Sequence, residues 1–154
     1  MRLRDAGLSR PRRERGQQRN TEDTIDETMM RVEHFGGTDQ IHSSAGLCEL
    51  LKKRYGNDAN EFFISGKDRY PLLSMLVRGS VACLHYFPRE EHPGFISATG
   101  TNELDGVLVF YTNTATEEIE VDARAGIPFE QAQAAAKEFL ALGAMPASVQ
   151  WREL

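Results

Sequence analysis

The chain has little with which to do chemistry of its own. It has only two cysteines in 154 residues, Cys48 and Cys83, and no C-x-x-C. That argues against a disulfide framework, and two free thiols buried in a reducing cytoplasm are the expectation. None of the four histidines, His34, His42, His85 and His92, is followed two residues later by Glu, and there is no P-C-x-x-C. The zinc-deaminase signature is therefore missing. H-E-x-x-H is missing too, and Gly66-Lys67 has neither the upstream glycine nor the following Ser or Thr of a P-loop. Gly94-Phe95-Ile96-Ser97 does not fit a nucleophile elbow. No apolar run approaches the roughly 20 residues that cross a bilayer. No apolar segment follows the N-terminal arginines, so they do not open a secretory signal. The expectation is a cytoplasmic protein with no catalytic residue, no cofactor, no metal and no membrane partner.

What is present is charge, unevenly placed. Residues 1–20 hold seven arginines against Asp5 and Glu14, a net of +5. The remaining residues hold 11 basic and 21 acidic side chains, a net of −10, so the overall −5 is an acidic domain with a basic leader. Residues 1–27 have almost no apolar content and no period, and disorder is expected there. That leader reads as a basic arm for nucleic acid, as a regulatory tail, or as a mis-assigned start upstream of Met29 or Met30. The last reading is preferred, because patterned sequence begins at Met30. An acidic domain repels nucleic acid and attracts basic partners.

Residues 28–154 are long enough for one domain with a real core. Met30, Val32 and His34 alternate as a first strand. Gly36-Gly37 is a turn, and Thr38 or Asp39 is positioned to cap a helix running to about Tyr55, with Leu47, Leu50, Leu51 and Tyr55 as its buried stripe. Short strands follow at 61–65, 72–77, 81–87, 95–98, 107–111 and 118–122, separated by polar or Gly-containing turns. Leu72–Val77 is almost wholly apolar, which predicts a central strand paired with Val81–Phe87 as a hairpin. The C-terminal stretch carries the clearest signal. Phe129, Ala132, Ala136, Phe139 and Leu140 make one helical stripe opened by Pro128 and stopped by Gly143 and Pro146, and Val149 and Trp151 begin a closing strand. The predicted class is α+β: an antiparallel meander in a single layer, flanked by two helices.

The order Gly126, Pro128, an Ala-rich helix ending in Phe139, then Gly143, Pro146 and Val149-x-Trp151, resembles immunity proteins of bacterial polymorphic toxin systems. The type most similar is the one encoded beside nucleic-acid deaminase toxins. Tyr70-Pro71-Leu72, Val77-Arg78-Gly79 and Leu84-His85-Tyr86 look like that family's central hairpin, and the resemblance runs from Met30 to Trp151. It implies the α+β fold and an inhibitor that binds a cognate toxin domain.

Where such a partner would bind is read from the acids. On a strand, Ile119 and Val121 would face the core, and Glu118, Glu120 and Asp122 would line the other face about 7 Å apart. Like charges that close cost stability unless a basic partner, water or a sheet-edge role compensates. Glu103, Asp105, Glu90 and Glu91 are loop acids that would extend this surface, and Tyr111 and Trp151 are candidate aromatic anchors. The competing reading is a small ligand- or metal-binding domain or enzyme with a pocket near Cys83 and His85, which share one strand face. Two ligands are too few for a closed metal site.

Overall fold

The computed structural model describes residues 29–100 and 105–154. The leader, residues 1–27, and Glu103 lie outside them, so neither expectation meets a structure here. Among the described residues, strands β1 (Met30–His34), β2 (Gly37–Ile41), β3 (Ala59–Ser65), β4 (Leu72–Arg78), β5 (Val81–Phe87), β6 (Phe95–Ala98) and β10 (Gln150–Glu153) form one antiparallel sheet. Its order is β10-β6-β5-β4-β3-β1-β2, with the two-residue β9 (Ile127–Pro128) pairing with β5. Helices α1 (Ser44–Leu51) and α2 (Phe129–Leu142) pack side by side on one face. A separate two-stranded sheet, β7 (Val107–Tyr111) with β8 (Glu118–Asp122), packs on the other. The α+β class and the antiparallel meander are as predicted. The single layer is not: β7 and β8 leave the main sheet and cover its second face.

That cover explains β4, whose residues Leu72 to Val77 are buried on both sides. Leu73, Met75 and Val77, with Ala82, Leu84 and Tyr86 of β5, meet the helix layer. Leu76, Cys83 and Ile96 meet Phe110, Val121, Ala125 and Leu108 beneath. Ala132, Ala135 and Ala136 let α2 lie close to the sheet while Phe139 and Leu140 fill the space beside them. Gly143 closes α2 in the left-handed conformation, φ 65°, its N–H donating to the Phe139 carbonyl over 2.8 Å. Glu138 then accepts from the backbone N–H groups of Ala147 and Ser148, which ties the helix to the closing strand.

The first helix is the main departure. Thr38 and Asp39 sit in β2, which folds back on β1 through a two-residue turn at Phe35-Gly36, one residue earlier than expected, with Gly37 already paired to His34. The cap is Ser43, whose Oγ accepts the Gly46 N–H over 3.1 Å, so α1 starts at Ser44 and ends at Leu51. Pairing two strands satisfies the backbone along their length, and this outweighs an early cap. Tyr55 therefore lies beyond the helix, exposed, with its ring beside His34. Pro128 caps α2 and pairs with Val81 instead of entering the first turn. Trp151 and Val149 close the core as expected, although only β10 proper, from Gln150, pairs with β6.

Candidate functional site

The β7–β8 hairpin carries three of the acids singled out in the sequence, Glu118, Glu120 and Asp122, and the structure shows how it is held. Glu61 begins the inner run of β3 and is almost fully buried. Its carboxylate accepts from Thr112 Oγ1 at 3.0 and 3.1 Å and from the Asn113 N–H at 2.9 Å, which locks the hairpin turn onto the main sheet. Burial raises its pKa above the ordinary carboxylate value, opposed by the Asn113 and Thr112 hydrogen bonds and reinforced by the charge of Glu117. Asn57 Nδ2 donates to the Ala115 carbonyl at 3.2 Å on the far side of the same turn. Arg78 Nη1 donates to the Val109 carbonyl at 3.3 Å, with the guanidinium 5.4 Å from the centre of the Tyr111 ring. A neighbouring amide, Asn60, is fully buried and accepts from the backbone N–H groups of Phe35 and Glu61 while donating to the Lys53 carbonyl.

On this frame Glu118 and Glu120 are exposed, on the outer face of β8 opposite Tyr111 and Val109. Among the described residues neither has an ion-pair or hydrogen-bond partner. Asp122 continues the row but is already engaged. Its carboxylate accepts from Arg124 Nε at 3.1 Å, Arg124 Nη2 at 2.7 Å and the Arg124 backbone N–H at 2.8 Å. Those hydrogen bonds, led by the side-chain pair, hold its pKa well below the usual range, and they cap the short 3-10 turn Ala123–Ala125. Asp105, exposed at the other end of the same cluster, adds its charge around Arg124. Ile119 does not face the core as expected: it is 38% exposed, and Val121 alone of that pair is buried. Across from Ile119, Phe110 takes the buried place at that end of the hairpin.

The other acids and the two aromatics lie elsewhere. Glu90 and Glu91 are exposed in the turn after Phe87, about 20 Å along β5 from Val81 at the usual rise per residue. Tyr111 is buried under Arg78 and offers no exposed ring. Trp151 packs against Tyr86, and its indole N–H donates to the Pro146 carbonyl at 2.8 Å, so its polar end is satisfied within the fold. Cys83 and His85 do share one face of β5. Burial pushes the Cys83 thiol up to about 12 and lowers the His85 pKa. A thiol held protonated is a poor ligand, and the described residues contain no group of three His, Cys, Asp or Glu side chains placed to hold a metal. Cys48 and Cys83 are both free. No helix among the described residues is long and apolar enough to cross a membrane.

Two features were not read from the sequence. One is the Glu61 latch, whose signal is an acid immediately before the apolar run Phe62-Phe63-Ile64. The other is an apolar groove of about 440 Å³ lined by Val81, Leu108, Gly126, Ile127 and Pro128, together with Ser80 and Ala123. Its residues come from three separate segments, so no local pattern announces it.

Comparison with known proteins places this arrangement. The chain is 29% identical over 126 residues to the double-stranded DNA deaminase immunity protein of Burkholderia cenocepacia (strain H111), covering 81% of this chain and 100% of that protein. The family model described as Immunity protein Imm1 matches residues 36–153, which takes in most of the main sheet, both helices and the β7–β8 hairpin. The chain belongs to the Imm1 family of immunity proteins.

Proposed function

We propose that this protein neutralises a nucleic-acid deaminase toxin by binding the toxin domain and blocking its substrate cleft, with no catalysis of its own. The deaminase assignment comes from the similar immunity protein of Burkholderia cenocepacia, matched along its whole length. The observation that carries the binding mode is the pair of exposed carboxylates Glu118 and Glu120, without partners among the described residues, on a hairpin braced by Glu61, Asn57 and Arg78. A cleft that holds a nucleic-acid backbone is basic. An acidic, pre-ordered hairpin can occupy it, and long-range attraction speeds the encounter. Such attraction weakens as salt shortens its range to about 8 Å at physiological ionic strength.

The test is the double substitution Glu118→Lys with Glu120→Lys. Asp122 is left intact, since its carboxylate caps a turn and pairs with Arg124. Stopped-flow association with a deaminase toxin domain should slow by about ten-fold or more at low salt, within the range that charge steering supplies. The wild-type rate should fall more steeply with added salt than the variant's rate. Both substituted side chains are exposed, so the thermal midpoint should stay within about 2 °C of wild type. An unchanged association rate would place the interface elsewhere.

A further inference from the structure

Among the described residues the β7–β8 hairpin has a free edge, and its hydrogen bonding identifies which backbone groups point outward. The Ala123 N–H donates to the Gly106 carbonyl, and the Thr112 N–H donates to the Glu117 carbonyl. In an antiparallel pair these bonds alternate, so Gly106, Leu108, Phe110 and Thr112 turn their backbone groups towards β8. Val107 and Val109 therefore turn theirs away from it. Among the described residues β7 pairs with β8 alone. Arg78 confirms the direction, because its guanidinium reaches the Val109 carbonyl from the open side.

Beside that edge lie two linked depressions. One, of about 240 Å³, is lined by Arg78, Val81 and Val107 to Phe110. It shares Val81 and Leu108 with the larger groove that runs on to Gly126 and Pro128. A side chain at Gly126 would run into Leu108, so the glycine keeps the larger groove open at its floor. Val107 and Val81 are 55% and 36% exposed, which leaves apolar surface in solvent at the Val107 end of the edge. Glu120 sits directly across β7 from this edge, opposite Val109, with Glu118 next in its row.

We propose that the β7 edge and its groove receive an extended segment of the toxin, which adds as a third strand beside Val107–Val109, seats an aliphatic side chain between Val81 and Leu108, and reaches Glu120 with a flanking Lys or Arg. This deepens the inhibitor reading and rests on it. Strand addition supplies affinity through the backbone, and alternate side chains supply the selection. The segment it fits alternates apolar with basic residues. Two strand spacings separate the incoming backbone from β8, about 10 Å, which a lysine and a glutamate side chain together span. The Arg78 guanidinium, now on the Val109 carbonyl, occupies the place of the partner's N–H and swings out on an exposed side chain.

The experiment measures amide hydrogen exchange and affinity on the full chain with a deaminase toxin domain. The Val107 and Val109 amides should exchange freely in the isolated protein and become protected in the complex. Val107→Arg places a charge in the groove from an already exposed position, and Val109→Pro removes an outward N–H that β8 does not use. Each should raise Kd by about 30-fold or more, the scale of a central contact, with the Val107→Arg thermal midpoint unchanged. If Val109→Pro fails to fold, the exchange data and Val107→Arg decide. Wild-type complex formation with both amides still exchanging, or Val107→Arg binding within about three-fold of wild type, overturns the strand site and leaves the inhibitor reading standing. Failure of the wild-type chain to bind overturns both. Amides that become protected in the isolated chain as its concentration rises give the edge to a second copy and also overturn the proposal.

Discussion

Phe139→Ala should destabilise the domain by about 3–5 kcal/mol, the range for a buried aromatic cut back to a methyl. Phe139 is fully buried on the sheet-facing stripe of α2 and meets Tyr86 edge-on, with ring centres 6.1 Å apart and planes at 82°. Tyr86 in turn touches Phe95 and Trp151, so one ring holds together α2, β5, β6 and β10. The gap would not close easily. The last turn of α2 is fixed by the left-handed Gly143 and by Glu138 on the following loop, which stops the helix from sinking into the space. For a domain of this size the loss corresponds to a fall in thermal midpoint of about 10–20 °C. Thermal unfolding followed by circular dichroism reads it directly. A fall of less than about 3 °C would mean that the helix does not present this face to the sheet.

The second large effect is expected at Glu61. Glu61→Ala removes the acceptor for Thr112 Oγ1 and the Asn113 N–H and should cost about 1–3 kcal/mol. Because those bonds secure the turn that carries the acidic face, toxin binding should weaken as well, although Glu61 itself is out of a partner's reach. The charge on Glu61 also gives a signed pH effect. Its folded pKa is raised, chiefly by burial, so the folded state holds the proton more tightly than the unfolded chain does. Its contribution is therefore most favourable below the ordinary carboxylate pKa and is lost as pH rises through the raised value. Glu61→Gln keeps an acceptor and removes the titration. Between about pH 4.5 and pH 7.5 the wild-type midpoint should fall relative to that of the Gln variant. Parallel pH profiles for the two proteins would show that the carboxylate does not titrate differently in the fold.

Of these two residues only Phe139 was legible in the sequence. The stripe ending in Phe139 and Leu140 has one period, one start and one stop, and every local signal agrees with the packed helix. Leu72–Val77 reads as doubly buried because nothing polar but Ser74 interrupts it. Thr38-Asp39 misled, since it resembles a cap, while the adjacent glycine pair permits the hairpin that the structure uses. Val107–Tyr111 is as apolar as β4, so it looks like another strand of the same sheet. Only its pairing with the charged β8, and its stacking under β4, reveals a separate layer. Asp122 was read as one of three equivalent acids. Arg124, two residues on, already neutralises it, a local partner brought back by the 3-10 turn Ala123–Ala125 that Asp122 caps. Glu61, the β7 edge and the groove depend on contacts between segments far apart in the chain, which periodicity does not encode.

The central claim is inhibition of a deaminase toxin, and one titration tests it most directly. Purified deaminase toxin domain is incubated with its nucleic-acid substrate and increasing amounts of this protein, and conversion of the target base is scored against the molar ratio. The account predicts loss of deamination that is complete near one inhibitor per toxin, with the two proteins eluting as one stable complex. Full activity at a large excess of this protein, with no complex formed, would contradict it.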